Sequence, residues 1–520
     1  MMALSSIFLL LVLCLLIVQL VKLQLRRRHY PPGPTPLPFI GCLWHPKFFQ
    51  LTRELLIEMS KIYGNIFTLW FGPYPLIILQ GYQAVKDGLT THPEDVSGRP
   101  LLPFFKTLAN NKGILLSTGL TWKQQRRFSM AALKNLGLGK SALEYQIQEE
   151  AESLVEVFRK SEGKPMNPSF ALNLAVSNVI CAVVFGHRFS TEDKIFHHLL
   201  EAMEKIFNAS DSVMFNLYNI FPWIMQHVPG RHQKAFCSRD IVQSFIREEI
   251  KKHQEADHRE KTQDFIHLYL DEIEKMKNQP KSPYDEKNMV QSIFDLFLGG
   301  TETSGTTLHW GLLYMVLYPD IQAKVQKEID TLLTPGQSIC YEDRKKLPYT
   351  NAVIHEIQRF SNIISIGMPR FCLRDTKIQK FHIKKGTTFF PNMASALHDP
   401  NEWEAPLTFD PNHFLDKDGN FTCPEAFIPF SMGHRACLGD NLAKTELFLF
   451  FSNLVQTFNF HLADGSKDIK LDPIWGGTLK PHSFDICAIP REAHISGLNG
   501  RCGYWDWESK QLGLPPPTFA

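Results

Sequence analysis

The chain has almost no net charge: 55 Lys and Arg against 53 Asp and Glu leave +2. That balance excludes nucleic-acid binding driven by a basic surface. Its ten cysteines form no CxxC pair and no zinc-type spacing. A disulfide framework and a cysteine zinc site are therefore not expected, and a reducing compartment fits better. No internal repeat or low-complexity tract is present. No Gly/Ser linker or charge run divides the middle of the 520 residues, so one large domain is expected rather than the several that the length would allow. No convincing GxGxxG fingerprint or flavin site stands in the chain. Any redox chemistry must therefore draw its electrons from another protein.

Charge is also missing from the first 21 residues. Ile7 to Val21 is almost wholly apolar, with Gln19 its one strongly polar member. That run is near the lower limit of about 17–25 residues for a spanning helix. Lys22, Arg26, Arg27 and Arg28 follow it. A cleaved signal peptide has the reverse order, and positive charge behind the run holds that side in the cytosol. The pattern predicts a transmembrane anchor over 1–22. A stiff, basic and proline-rich hinge follows over 23–40, including Pro31-Pro32-Gly33-Pro34-Thr35-Pro36. The catalytic body is expected over 41–491. Residues 492–520 have no core periodicity and read as a flexible extension.

The body is organised around Phe430-Ser431-Met432-Gly433-His434-Arg435-Ala436-Cys437-Leu438-Gly439. Gly433 and Gly439 allow positive φ and a tight loop beneath a flat ligand. Asn441 to Phe451 reads as a helix, so Cys437 sits just before a helix N-terminus, where a thiolate is favoured. Arg435 adds positive charge. A thiolate held this way suits the iron of a haem. On a helix predicted over Thr121–Leu136, Trp122 and Arg126 share a face, and both are good donors for carboxylates. Asn288 to Leu317 reads as a long apolar helix containing Gly299-Gly300-Thr301-Glu302-Thr303-Ser304-Gly305. Three glycines inside a helix cost about 1 kcal/mol each, which is expected only where something approaches the backbone. Glu302 and Thr303 place an acid and an alcohol beside that groove. Glu356 and Arg359 lie one turn apart on another apolar helix. Phe67 to Leu79, broken at Gly72-Pro73, predicts a hairpin. Pro100 to Ser117 reads as irregular, and Ile363–Arg370 and Phe381–Pro391 as strands and turns.

Phe430-x-x-Gly433-x-Arg435-x-Cys437-x-Gly439 resembles the haem-binding loop of the cytochromes P-450, the haem-thiolate monooxygenases. The resemblance runs from residue 31 to 491, with the main motifs in order. It implies a mainly α fold with a smaller β region. It implies haem b, its iron axially ligated by Cys437 and cradled by Phe430, Gly433, Arg435 and Gly439. Trp122, Arg126 and Arg370 would hold the propionates. Glu302 and Thr303 would guide the protons that make water the leaving group. Glu356 and Arg359 would form a structural ion pair under the haem loop. His413, in Pro411-Asn412-His413-Phe414, stands where the family usually has an arginine as third partner. The Gly476–Leu479 turn would face the substrate, and Phe221 to Met225 would make a second contact with membrane lipid.

Tyr349-Thr350-Asn351-Ala352-Val353 and Glu446-Leu447-Phe448 are similar to the vertebrate microsomal family 2, closest in look to its subfamily J type. This implies hydroxylation and epoxidation of small lipophilic substrates, fatty acids such as arachidonate and xenobiotics, with O2 and NADPH-derived electrons as cosubstrates. The implied partner is the NADPH-dependent cytochrome P-450 reductase, with cytochrome b5 as a further candidate. Lys123, Arg127, Lys134, Lys140 and Lys444 are candidate docking contacts. The implied location is the endoplasmic reticulum membrane, with the body on the cytosolic side. Two alternatives stay open. A haem-thiolate isomerase of lipid peroxides would not need the acid–alcohol pair. A non-enzymatic haem- or lipid-binding protein would not need propionate clamp, proton relay and reductase face together.

Overall fold

In the computed structural model of the chain, the described residues are 2–491, apart from 45, 50, 138–140, 210–212, 256–262, 280–281, 334–336 and 464–468. The side chains at 2–5, 8, 9, 46, 49 and 141 also lie outside the description. Lys140 and the expected extension 492–520 therefore fall outside it.

The longest element is the helix Glu286–Leu317, 32 residues. Asp285 starts it as N-cap by accepting from the Asn288 N–H, which satisfies one of the free amides of the first turn. It is apolar on almost every face, so it can be stable only with neighbours all round. Ser169–Phe185 supplies one of them and is itself buried on nearly every face. Asp440–Thr457, Pro348–Ser361 and Arg231–Glu255 also pack on the central helix, and Arg231–Glu255 packs in turn on Lys194–Ala209. The glycines of the central helix explain how close these neighbours come. A Cβ on Gly305 would stand 2.0 Å from Asn173 Oδ1, and one on Gly300 would stand 3.0 Å from the Ile180 side chain.

The β structure is small. One four-stranded sheet runs Ile66–Phe71, Tyr74–Leu79, Thr388–Pro391, Arg370–Phe371. Its first pair is an antiparallel hairpin in register Phe67↔Ile78, its second pair is parallel and its third antiparallel. Gly72 turns the hairpin at φ +57°. Two further two-stranded ribbons complete the β structure among the described residues. The fold is mainly helical, with small sheets, in one domain.

Two segments depart from the sequence reading. Within Pro100–Ser117, expected to be irregular, Pro103–Ala109 forms a helix. Pro103 stands in its first turn, where proline's fixed φ is already helical, and Asn110 closes it in the left-handed region at φ +47°. The N-terminal helix is longer than the expected anchor. It runs Met2–Arg27, and its basic last turn folds back on the body: Arg26 donates to the Pro73 carbonyl and Arg27 to the Gly33 carbonyl and the Thr35 hydroxyl. Its apolar side chains from Leu10 to Val21 are exposed. Among the described residues no helix is long and apolar enough to cross a membrane. The described side chains of this one run on into Lys22, Arg26 and Arg27.

Candidate functional site

The cysteine loop is shaped by two left-handed residues, Ser431 at φ +60° and Gly433 at φ +73°. Gly433 can only be glycine, because a Cβ there would lie 2.2 Å from the Leu89 carbonyl oxygen. The Cys437 amide donates to the Phe430 carbonyl at 2.9 Å and closes the loop. Gly439 differs from expectation. Its φ is −99°, it is the N-cap of Asp440–Thr457, and a Cβ there would meet nothing within 4 Å. It leaves room rather than turning the chain.

Cys437 keeps an exposed face, while protein encloses its other sides. Burial pushes its thiol up, and the charge of Asp440 adds to that. The Gly439 N–H, Arg126 and Lys444 pull it down without cancelling the rise. Without a metal the sulfur is held as a thiol, and a bound metal ion would deprotonate it outright. Arg435 is not the neighbouring charge that the sequence suggested. Its guanidinium turns away to donate to the carbonyls of Ser97, Ile114 and Ser117, and it stacks 3.9 Å over the Trp122 ring.

Arg435 instead joins a cluster of arginines around the loop. Arg126 donates to the Ala436 carbonyl at 2.8 Å. Arg370 reaches the Ser431 hydroxyl at 3.3 Å and the Arg435 carbonyl at 3.4 Å. Arg99, which sequence reasoning missed, donates to the carbonyls of Leu115, Met368 and Pro369. Arg99, Arg370 and Arg435 are buried. Burial first, and then one another's charge, pushes Arg370 down to about 9, Arg435 to about 8 and Arg99 well below the usual guanidinium range. Among the described residues, no carboxylate forms an ion pair with any of the four. Carbonyl oxygens orient these guanidiniums but do not neutralise them. Two donors beside them, Trp122 Nε1 and Arg370 Nη1, are buried without a partner. A flat ligand bearing two carboxylates, laid against Cys437, would supply the missing counter-charge. The residues present fit haem and its propionates.

Asp295, also missed, pins the strip that feeds this cluster. One of its oxygens accepts from the Ile114 and Leu115 amides at 2.7 and 2.9 Å, and Gln291 donates to the other. Burial pushes it up to about 6. A lone acid in the apolar run Met289–Leu298 was the available signal. Arg99 gave none, since it works through carbonyls distant in sequence.

On the central helix the acid and the alcohol diverge, as adjacent residues about 100° apart must. The Thr303 hydroxyl donates back to the Gly299 carbonyl at 2.7 Å. Glu302 is buried and paired with Lys480 at 2.5 Å, and it accepts weakly from the Thr478 hydroxyl at 3.4 Å. Lys480 is shared with Glu204 at 3.2 Å. Burial opposes the Lys480 ammonium, but its two carboxylates outweigh burial and raise its pKa. The pair ties the central helix to the residue that follows the Gly476–Leu479 turn, and the turn itself docks by Gly477 N–H to the Phe207 carbonyl and Leu479 N–H to the Ile363 carbonyl. Gly300 and Gly305 are packing notches, which corrects their reading as a ligand groove. Only Gly299 faces open space, with nothing within 4 Å of an added Cβ.

Glu356 and Arg359 are both fully buried. They meet through two parallel hydrogen bonds, Nε–Oε2 at 2.7 Å and Nη2–Oε1 at 2.6 Å. Arg359 also donates to the carbonyls of Leu397, Pro406 and Thr408. His413 Nδ1 lies 3.2 Å from Glu356 Oε1, and its Nε2 meets the Glu404 carbonyl. Burial pulls His413 down, but the Glu356 carboxylate and the Glu404 carbonyl outweigh burial and raise its pKa.

The family profile described as Cytochrome P-450 matches residues 31–488. The chain is 43% identical to cytochrome P-450 2J2 of Homo sapiens over 466 residues, which is 90% of this chain and 92% of that one. It is 41% identical to cytochrome P-450 2C8 of Homo sapiens over 487 residues, 93% of this chain and 99% of that one. It is 43% identical to cytochrome P-450 2J5 of Mus musculus over 474 residues, 90% and 93% of the two chains. The chain belongs to the cytochrome P-450 family, whose cofactor is haem b held by a cysteine thiolate and whose monooxygenase chemistry runs on O2 and NADPH-derived electrons.

Proposed function

We propose that this chain is a membrane-held monooxygenase that inserts one oxygen atom from O2 into small lipophilic substrates, by hydroxylation or epoxidation. The observation that carries the reading is the set of four arginines, none paired with a carboxylate among the described residues, gathered at the loop of Cys437. Cys437 is the haem ligand. Arg99, Arg126, Arg370, Arg435 and Trp122 hold the propionates, and Phe430, Gly433 and Gly439 shape the bed. When bound, the haem supplies the activation of O2, and overall substrate, O2, two electrons and two protons give the oxygenated product and water. The Thr303 hydroxyl can swing from the Gly299 carbonyl to offer a proton beside the one open glycine. Glu302 is the family's second relay group by resemblance. Here it also holds the substrate-facing turn through Lys480 and Thr478. Glu356, Arg359 and His413 brace the loop from below.

Fatty acids such as arachidonate and xenobiotics are the proposed substrates, by likeness to the 2J and 2C relatives. The electron donor is the NADPH-dependent cytochrome P-450 reductase, with cytochrome b5 as a second donor. Lys123, Arg127 and Lys134 are exposed on one face of the helix Gly119–Asn135 and suit an acidic partner, although Lys123 is paired with Glu94 at 3.4 Å. Lys444 is already paired with Asp440 at 3.5 Å. The proposed location is the endoplasmic reticulum, with 1–22 as anchor, 23–40 as hinge, 41–491 as the cytosolic body and 492–520 as an extension. Supporting this, the helix Met2–Arg27 exposes apolar side chains, and Phe221, Trp223 and Ile224 form a second exposed apolar group.

The test is turnover of an arachidonate and drug panel by the full chain with reductase and NADPH, read by mass spectrometry. Oxygenated products that depend on both are expected. Thr303→Ala should still consume NADPH but release peroxide in place of product. Rearrangement of lipid peroxides without NADPH, and no other product, would overturn the reading in favour of an isomerase.

A further inference from the structure

A second cluster of chemistry-bearing side chains lies where the helix Arg231–Glu255 ends and the helix Phe265–Lys275 begins. Asp264 is the N-cap of the second helix, and its Oδ1 accepts from the His267 amide at 2.9 Å. Its other oxygen, Oδ2, lies 2.8 Å from His267 Nδ1 and 3.1 Å from His253 Nε2. The three atoms all lie within 4.8 Å of one another. Asp264 is fully buried, and the two imidazoles are about a tenth exposed.

The tautomers make this more than a hydrogen-bonded trio. His253 Nδ1 lies 2.7 Å from the Glu249 carbonyl, which can only accept, so Nδ1 carries the proton. The Nε2 of a neutral His253 therefore turns a lone pair toward a carboxylate oxygen. Two acceptors 3.1 Å apart need a positive centre between them, either a second proton or a cation. Among the described residues no Lys or Arg forms an ion pair with Asp264. Glu249 is engaged elsewhere, by His187 at 3.0 Å and Lys252 at 2.7 Å.

We propose that His253 Nε2, His267 Nδ1 and Asp264 Oδ2 form a binding site for a divalent transition cation of the zinc class, with a fourth position left to water. Ligands at about 2.0–2.1 Å from a tetrahedral zinc stand about 3.3 Å from one another. The two separations from Asp264 Oδ2, 2.8 and 3.1 Å, reach that value with shifts of a few tenths of an ångström, and the two nitrogens, within 4.8 Å of each other, would be drawn to the same spacing. The surroundings match what holds metal ligands elsewhere: a backbone carbonyl fixes one imidazole, and a backbone amide fixes the carboxylate. Two nitrogen ligands and one carboxylate select against Ca2+ and Mg2+, which prefer all-oxygen shells, and the absence of thiolate from the set selects against Cu+. A bound ion would tie the end of Arg231–Glu255 to the next helix. The former packs on both Lys194–Ala209 and the central helix, so the ion would stiffen that helix packing without touching the candidate site.

The full-length haem-loaded protein, stripped with chelator and dialysed into buffer that does not bind metals, is titrated with ZnCl2 by calorimetry and melted with and without the ion. One high-affinity zinc per chain and a raised Tm are expected. Both should be lost in His267→Gln and in His253→Gln, while each variant keeps the wild-type reduced carbon monoxide spectrum, which shows an intact fold. X-ray absorption at the zinc edge should show a nitrogen and oxygen shell containing two imidazoles. Absence of the high-affinity event in the wild type would refute the site, as would its survival in either variant. A sulfur ligand in the shell would refute it as well, and would point to the exposed Cys237 or Cys423.

Discussion

Two clusters of charged side chains, one at Glu356–Arg359 and one gathered at the cysteine loop, are opposite in kind. At Glu356–Arg359 every charge has its partner within the chain: a bidentate pair, three carbonyls around the guanidinium and a histidine on the carboxylate. At Arg99, Arg126, Arg370 and Arg435 like charges are packed together, oriented by carbonyls and without a carboxylate partner among the described residues. The first region is complete when the chain folds. The second holds electrostatic strain that only an anionic ligand relieves. Breaking a self-satisfied pair should therefore damage folding, whereas removing one member of the unpaired cluster should damage ligand retention and leave folding alone.

Four substitutions test this contrast. Cys437→Ala has the largest expected effect: complete loss of the reduced carbon monoxide band for which the family is named, with the ligand-free protein still folded by circular dichroism. Retention of that band would make another of the ten cysteines the ligand. Glu356→Ala strands a buried guanidinium and should cost about 3–5 kcal/mol, so little folded protein should be recovered with or without haem. Normal yield and Tm would place the brace elsewhere. Arg370→Leu removes a charge-assisted contact of about 1.5–3 kcal/mol, so haem transfer to an acceptor protein should quicken roughly tenfold to a hundredfold. The ligand-free protein should melt no lower than the wild type, since a repulsive charge is gone. A drop in its Tm would mean the cluster is structural after all.

The smallest effect is a pH dependence. The pKa of His413 is raised in the folded chain, so the folded state holds the proton more tightly than the unfolded one. That stability is fully present below about 6.5 and is lost as pH rises through the higher folded value. Glu446, pushed up to about 8 by burial with the Ser304 hydroxyl opposing, tilts the curve the same way. Subtraction therefore matters: His413→Arg should flatten the fall in Tm between pH 6 and 8 without abolishing it. Parallel curves for the two proteins would remove His413 from the linkage.

How much of this was legible in the sequence depends on the distance over which each residue acts. The mainly helical fold and the buried Glu356–Arg359 pair were implied by the family resemblance, and the Gly433 turn and that pair act within a few residues, so the local motifs carry them. Arg435 was visible as a residue, but its role was not. Its contacts are carbonyls more than 300 positions away in the chain, and no local pattern says which way a guanidinium turns. Lys480 was missed for the same reason, since nothing near it resembles an acid's partner. The glycines of the central helix were conspicuous but ambiguous. A glycine that admits a neighbouring helix and one that faces an open space look alike until the neighbour is placed, and here Gly300 and Gly305 did the first and Gly299 the second. The helix at Pro103–Ala109 was hidden by its brevity.

The grip of Asp295 on residues 114 and 115 also sets an order of assembly. Arg99 and Arg435 are aimed by the carbonyls of Ile114, Leu115 and Ser117, and that strip is itself fixed to the central helix by Asp295 and, through Gly113, by Asn288. A nascent chain whose strip has not yet reached the helix has arginines but no receptacle. A haem-loaded molecule is therefore one whose strip has already docked on the central helix, whereas a folded molecule need not carry haem.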